Sequence, residues 1–176
     1  MKTLIVSPES HPLHLRQVPD SALLTGDRPL FMRQDADSLE LTLMPAAVVC
    51  RLGLGVEPRF AARYYDAMVL VALNCPGAPA EATDADLVAD NSLVVGRRLP
   101  VPEGPVRVSC PDGTELRWDG LRGAFDRAIC AVAERSTLKT GDIIALDHPC
   151  ATQRVPAGKK LIWTADGETA LCVKII

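Results

Sequence analysis

Residues 38–52, SLELTLMPAAVVCRL, constrain the fold more than any other stretch of the chain. Leu39, Leu41 and Leu43 fall on one side of a strict alternation, and Glu40, Thr42 and Met44 fall on the other. A period of two belongs to a β-strand, and a strand this long needs a sheet on which to bury its apolar side. Pro45 then interrupts the pattern. Proline cannot donate to a strand ladder, so a bulge or a sheet edge is expected there.

The rest of the chain is mostly strand-like. Residues 3–6 (TLIV), 68–74 (MVLVALN), 141–146 (GDIIAL), 158–163 (GKKLIW) and 169–176 (TALCVKII) read as strands, and 105–118 as a hairpin turning at Asp112-Gly113. One helix is well marked: within 119–136, Phe125, Ile129 and Val132 recur at i, i+4 and i+7. A short helix is expected over 57–68, with Pro58 in its first turn, and a loop over 75–86. There is no internal repeat and no linker. The expectation is one β-rich α+β domain over 1–176, with one main helix.

Composition removes several classes of function. Hydrophobic residues are 48% of 176, enough for a packed core, while aromatics are only 4%. Net charge is −3, which with so few aromatic side chains argues against nucleic-acid binding. The most basic spot, GRRLP with Arg97 and Arg98, reads as a solvated edge. No apolar run reaches membrane-spanning length, and MKTLIV is too short for the core of a secretory signal. A cytoplasmic protein without membrane contact is expected. The six cysteines lie 20 to 35 residues apart with no C-x-x-C, so reduced thiols fit better than a zinc knuckle or a redox motif.

Candidate chemical residues are few. Asp147-His148 follows the apolar run at 143–146, as either an active-site pair or a polar turn. Glu9 and His11, with His14 nearby, sit in a Pro-containing segment unsuited to helical metal ligation. The D-x-D pairs Asp35/Asp37 and Asp84/Asp86 read as acids in solvated turns. Arg63, Tyr64, Tyr65 and Asp66 form a cluster expected to be exposed, and read as helix-end packing and a dimer contact. Cys75 and Cys150 lack an evident histidine partner and read as inert thiols.

The order of pieces resembles the fumarylacetoacetate hydrolase family in its small bacterial form. The resemblance rests on TLKTGDII (137–144) after the main helix, on the closing VPAGKKLIWTADGETALCVKII, on RFAARYYD (59–66), on DNSLVVG (90–96), and more weakly on DSALL and PLFM between 20 and 32. It implies a mixed β-sandwich or roll with one main helix and a short linking helix, a homodimer, and a shortened, divergent strand and loop over 1–19. It also implies a chemistry: hydrolysis, decarboxylation or isomerisation of 2-oxo and acylpyruvate-type acids through an enolate held on Mg²⁺ or Mn²⁺.

Position by position, the chain departs from that chemistry. The family's E-x-E metal ligands map to Thr42 and Met44, its aspartate to Leu73 and its substrate lysine to Leu87. A hydroxyl, a thioether and two alkyl groups are poor ligands for a hard divalent cation. Shifting the register brings only Glu40 into one ligand position. The loop that grips the substrate carboxylate becomes Leu146, Asp147, His148 and Pro149. The expectation is a divergent homologue that has lost the metal triad and is inactive on family substrates, with no cofactor. The alternatives are an active hydrolase, decarboxylase or isomerase with altered ligands, or a binding or assembly module holding a small apolar ligand in the remodelled pocket. Glu9, His11, Asp147 and His148 are the weak catalytic candidates.

Overall fold

The long strand expected at 38–52 is the centre of a curled mixed sheet in the computed structural model, which describes residues 1–26, 28–32, 38–156 and 158–176. In chain order the strands are β1 (Thr3–Ser7), β2 (His14–Val18), β3 (Leu23–Thr25), β4 (Ser38–Val49), β5 (Tyr65–Asn74), β6 (Leu93–Val95), β7 (Val106–Ser109), β8 (Glu115–Trp118), β9 (Ile143–Leu146), β10 (Ala151–Pro156), β11 (Lys160–Ala165) and β12 (Glu168–Lys174). The helices are α1 (Asp84–Val88) and α2 (Leu121–Ala133), with 3-10 turns at Asp20–Ala22, Pro58–Arg63 and Pro79–Glu81. The main sheet runs β2-β1-β9-β4-β5-β6-β3, with β10 also on β4. A second sheet runs β12-β11-β7-β8.

Both faces of the main sheet are buried. Leu41, Leu43 and Ala47 of β4 pack with Phe125, Ile129 and Val132 of α2 and with Trp163 and Val173 of the second sheet. Met44, Ala46 and Val48 point into a separate apolar cluster with Val71 and Leu73 of β5, Leu87 of α1 and Leu93 of β6. Alternation therefore persists through β4, but what lies opposite its leucines is also apolar.

Pro45 corrects the expectation of an edge or bulge. It lies in the sheet interior, opposite Leu70 of β5. The Leu70 carbonyl accepts from Gly96 N at 2.8 Å, so it faces away from Pro45 and this pair needs no ladder bond. On the other flank β4 changes partner: β10 pairs as far as Leu43 and β9 begins at Ala46. The missing N–H falls in the gap between the two.

Two further expectations are corrected. Residues 57–68 are not one helix: a 3-10 turn ends at Arg63 and β5 starts at Tyr65. Residues 75–86 are not all loop. Thr83 caps α1, its hydroxyl accepting from Asp86 N at 3.2 Å while Asp86 accepts from Thr83 N at 2.7 Å, a reciprocal capping box written in the sequence as TDAD.

The two sheets are stitched at Gly96. Its N–H donates to Leu70 O, and the next N–H, of Arg97, donates to Ala170 O at 2.8 Å. A Cβ at Gly96 would lie 2.3 Å from Ala170 O, so only glycine fits. At the other end of the chain β1 and β9 run parallel, Thr3 opposite Ile143 and Val6 opposite Leu146.

Candidate functional site

The pairing of β4 with β5 sets the positions that the family resemblance marks as metal ligands. Thr42 lies directly opposite Leu73, and Met44 opposite Val71. All three marked residues are 0% exposed, and Leu87 is 2% exposed. Met44, Leu73 and Leu87 meet in the second apolar cluster. The Thr42 hydroxyl is 2.8 Å from that of Thr152, across the β4–β10 ladder. These residues do not fit a Mg²⁺ or Mn²⁺ ion: such an ion sheds water only for several hard oxygens, and here one committed hydroxyl stands beside a thioether and alkyl groups. A hollow of about 590 Å³ is lined by their near neighbours in the chain Glu40, Asn74 and Asp86, among others.

The other acids nearby have local duties. Glu40 Oε2 accepts from Gly77 N at 3.0 Å and so ties down the loop after β5. Asp86 closes the α1 cap, and the Thr83 hydroxyl and N–H hold its carboxyl below the usual range. Asp35 and Asp37 lie outside the described residues. Among the described residues no three His, Cys, Asp or Glu side chains are grouped to hold a metal ion.

Another open space lies at the ends of β1 and β9. These parallel strands finish side by side, and Asp147 N donates to Val6 O at 3.2 Å. The Ser7 hydroxyl donates to Asp147 Oδ2. Above them a cavity of about 730 Å³ is lined by Ser7, Glu9, Trp118, Arg127, Asp147 and His148, among others. Three of the four catalytic candidates thus share one cavity. The fourth, His11, faces a separate hollow of about 400 Å³ with Asp126 and Cys130.

The cavity's groups are largely occupied with one another. Arg127 Nε is 2.5 Å from Glu9 Oε1, and Arg117 Nε is 3.2 Å from Asp119 Oδ2. The Ser7 hydroxyl donates its hydrogen bond to a carboxylate rather than to an imidazole, so it is not arranged as a nucleophile. His148 is exposed and Asp147 half-buried. The chemistry on offer is polar recognition with one imidazole at the rim. The Ser7–Asp147 contact was not read from the sequence. It joins residues 140 apart, and its only trace is that TLIVS and IIALD both end an apolar run on a polar residue.

The remaining candidates are structural. Tyr65 is 4% exposed, which corrects its placement in an exposed cluster. Its hydroxyl donates to Asp126 Oδ1 at 2.8 Å, and burial together with that carboxylate raises its pKa. Asp66 pairs with Arg98 at 2.6 Å, and the Arg63 guanidinium lies 4.9 Å from the Phe60 ring centre. Burial pushes the Cys75 thiol up to about 11, and burial followed by the Asp147 charge raises Cys150. Neither is a ready nucleophile at neutral pH.

No family model and no curated protein matches the chain. Solved structures do. A 5-carboxymethyl-2-hydroxymuconate delta-isomerase from Mycobacterium smegmatis superimposes with TM-score 0.74 at 16% identity, over 99% of this chain and 78% of its own. A fumarylpyruvate hydrolase from Pseudomonas aeruginosa, solved with Mn²⁺ and pyruvate, gives 0.74 at 12% identity over 100% and 89%. A Yersinia pestis CO92 protein assigned to the fumarylacetoacetate hydrolase family gives 0.72 at 15% identity over 99% and 92%. At such identities the likeness is one of architecture: this chain has the fold of the fumarylacetoacetate hydrolase family.

Proposed function

We propose that this chain keeps the fumarylacetoacetate hydrolase fold without its divalent-metal chemistry, as a pseudoenzyme of that fold. One observation carries the reading: Met44, Leu73 and Leu87 are packed into a single buried apolar cluster where metal ligands and a lysine are expected. Removing one ligand weakens a metal site. Replacing the whole charge arrangement with alkyl groups and a thioether removes the reason for an ion to leave water.

The test has two arms. Calorimetry with Mn²⁺ gives no micromolar binding, and purified protein does not decarboxylate oxaloacetate or hydrolyse acylpyruvates above background. Either activity, or micromolar Mn²⁺ affinity, overturns the proposal. In the second arm, Met44→Glu places an unpaired carboxylate in the apolar cluster and costs more than about 3 kcal/mol in urea unfolding. A cost below about 1 kcal/mol means that the position is open and polar, as a metal site is, and counts against the reading.

A second reading has one observation behind it, the convergence of Glu9, Asp147 and His148 on the 730 Å³ cavity. On that reading the chain is an isomerase or hydrolase that works without a metal ion, with His148 moving the proton. Metal-independent turnover of a 2-oxo acid that survives EDTA and is lost in His148→Ala supports it. Absence of turnover across a panel of such acids removes it.

A further inference from the structure

The outer face of the second sheet carries a hollow of about 500 Å³ lined by Arg28, Arg97, Lys160, Lys174, Ile162, Thr169 and Cys172. Among the described residues four cations line it and no carboxylate does. That composition is unusual in a chain of net charge −3. It also contrasts with six arginines elsewhere, Arg59, Arg98, Arg117, Arg122, Arg127 and Arg135, each of which has a carboxylate 2.5 to 3.8 Å away.

The backbone fixes this convergence. Lys160 and Lys174 are directly opposite in the β11–β12 register, with Ile162 and Cys172 the next pair on the same face. Arg97 is held beside β12 by its N–H on Ala170 O at 2.8 Å. The segment after Arg28 is held on the same strand by Leu30 N donating to Lys174 O at 2.8 Å. Like charges directly opposed across two strands repel, and two arginines brought to the same hollow add to the repulsion. A sheet gains nothing from such a set unless something neutralises it.

We propose that this hollow binds a small polyvalent oxyanion, of the pyrophosphate or polycarboxylate class. Its volume suits a small molecule rather than a macromolecular surface. Two planar guanidinium forks and two mobile ammonium groups, with the Thr169 hydroxyl beside them, suit several oxygens on one compact ligand. The hollow shares no lining residue with the cavity at Asp147 and His148, so the proposal stands apart from the metal question.

The test uses isothermal calorimetry at low ionic strength with pyrophosphate and with citrate as probes, on wild-type protein and on Lys160→Glu. Wild-type protein binds at least one probe with a dissociation constant below 1 mM, and affinity falls at least tenfold between 20 and 200 mM salt, values on the order expected for charge-driven binding. The probe that binds more tightly identifies the class. Lys160→Glu turns a repulsive cross-strand pair into an attractive one, so its thermal midpoint without ligand is equal to or above the wild type, while its affinity for the probe drops at least tenfold. The unchanged or raised midpoint separates lost binding from lost folding. No heat with either probe overturns the proposal, as does undiminished affinity in Lys160→Glu. A short DNA duplex that binds where neither small anion does also overturns it.

Discussion

The Asp142 carboxylate is wholly buried; its Oδ1 accepts from Lys2 N at 2.9 Å, its Oδ2 from Lys139 N at 2.8 Å, and the Lys2 ammonium lies 3.7 Å away. It ties the start of β1 to the turn that enters β9, so that the two strands begin in register. Asp142→Ala leaves two N–H groups without an acceptor and a partly buried lysine without its counter-charge. The expected loss is about 3 to 5 kcal/mol, read from the midpoint of urea unfolding. Cys75 gives a pH prediction. Its folded pKa of about 11 stands above an ordinary 9.0, so its contribution to stability is intact below pH 9 and is lost as pH rises toward 11. Unfolding free energy measured from pH 8 to 11 falls less steeply in Cys75→Ala than in the parent chain. At this scale a period of two told only that Thr42 and Met44 share a face of β4; that Leu73 and Leu87 belong beside them is what the family resemblance implies. It did not tell that they would be sealed, since burial depends on what the far strands and α1 bring to the same face.

Elements were legible where their local chemistry agreed with their surroundings. The 105–118 hairpin forms as read, with Gly113 at φ +88° and its N–H on Cys110 O at 3.0 Å. Helix α2 forms because Phe125, Ile129 and Val132 all reach the main core. The short strands β2, β3, β6 and β10 are not legible in the sequence because they are held by neighbours rather than by their own pattern: HLRQV and ATQRVP bury little and pair fully with β1 and β4. Residues 57–68 misled because Pro58 does start a helical turn, but the alternation resuming at Tyr65 belongs to the sheet. The loop between β4 and that turn presents Leu52 at 67% exposure and Leu54 at 65%. A sheet edge at Pro45 would have called for a second copy to cover it; Pro45 is interior, and these two leucines supply another ground for one. We expect a homodimer through this loop and the Pro58–Arg63 turn. Light scattering at micromolar concentration gives twice the chain mass, and Leu52→Glu with Leu54→Glu gives the monomer without loss of fold. A monomeric wild type ends this expectation.

Across the whole molecule, the two sheets and α2 enclose one core, and the curl of the larger sheet encloses a second. Strand β4 lies against both, and its apolar run would be a hazard in any chain not yet folded. Segments of six or seven apolar residues with no charge and no proline stack into cross-β fibrils. Pro45 divides this run into pieces shorter than that, at the one place where the native sheet asks nothing of a backbone N–H. The partner exchange on β4 therefore has a value before folding as well as after it: it lets the sequence carry a gatekeeper in its most fibril-prone strand at no cost in native ladder bonds. A synthetic peptide of residues 38–49 stays soluble and thioflavin-negative, and its Pro45→Val counterpart forms fibrils; equal behaviour of the two peptides means that the proline protects nothing.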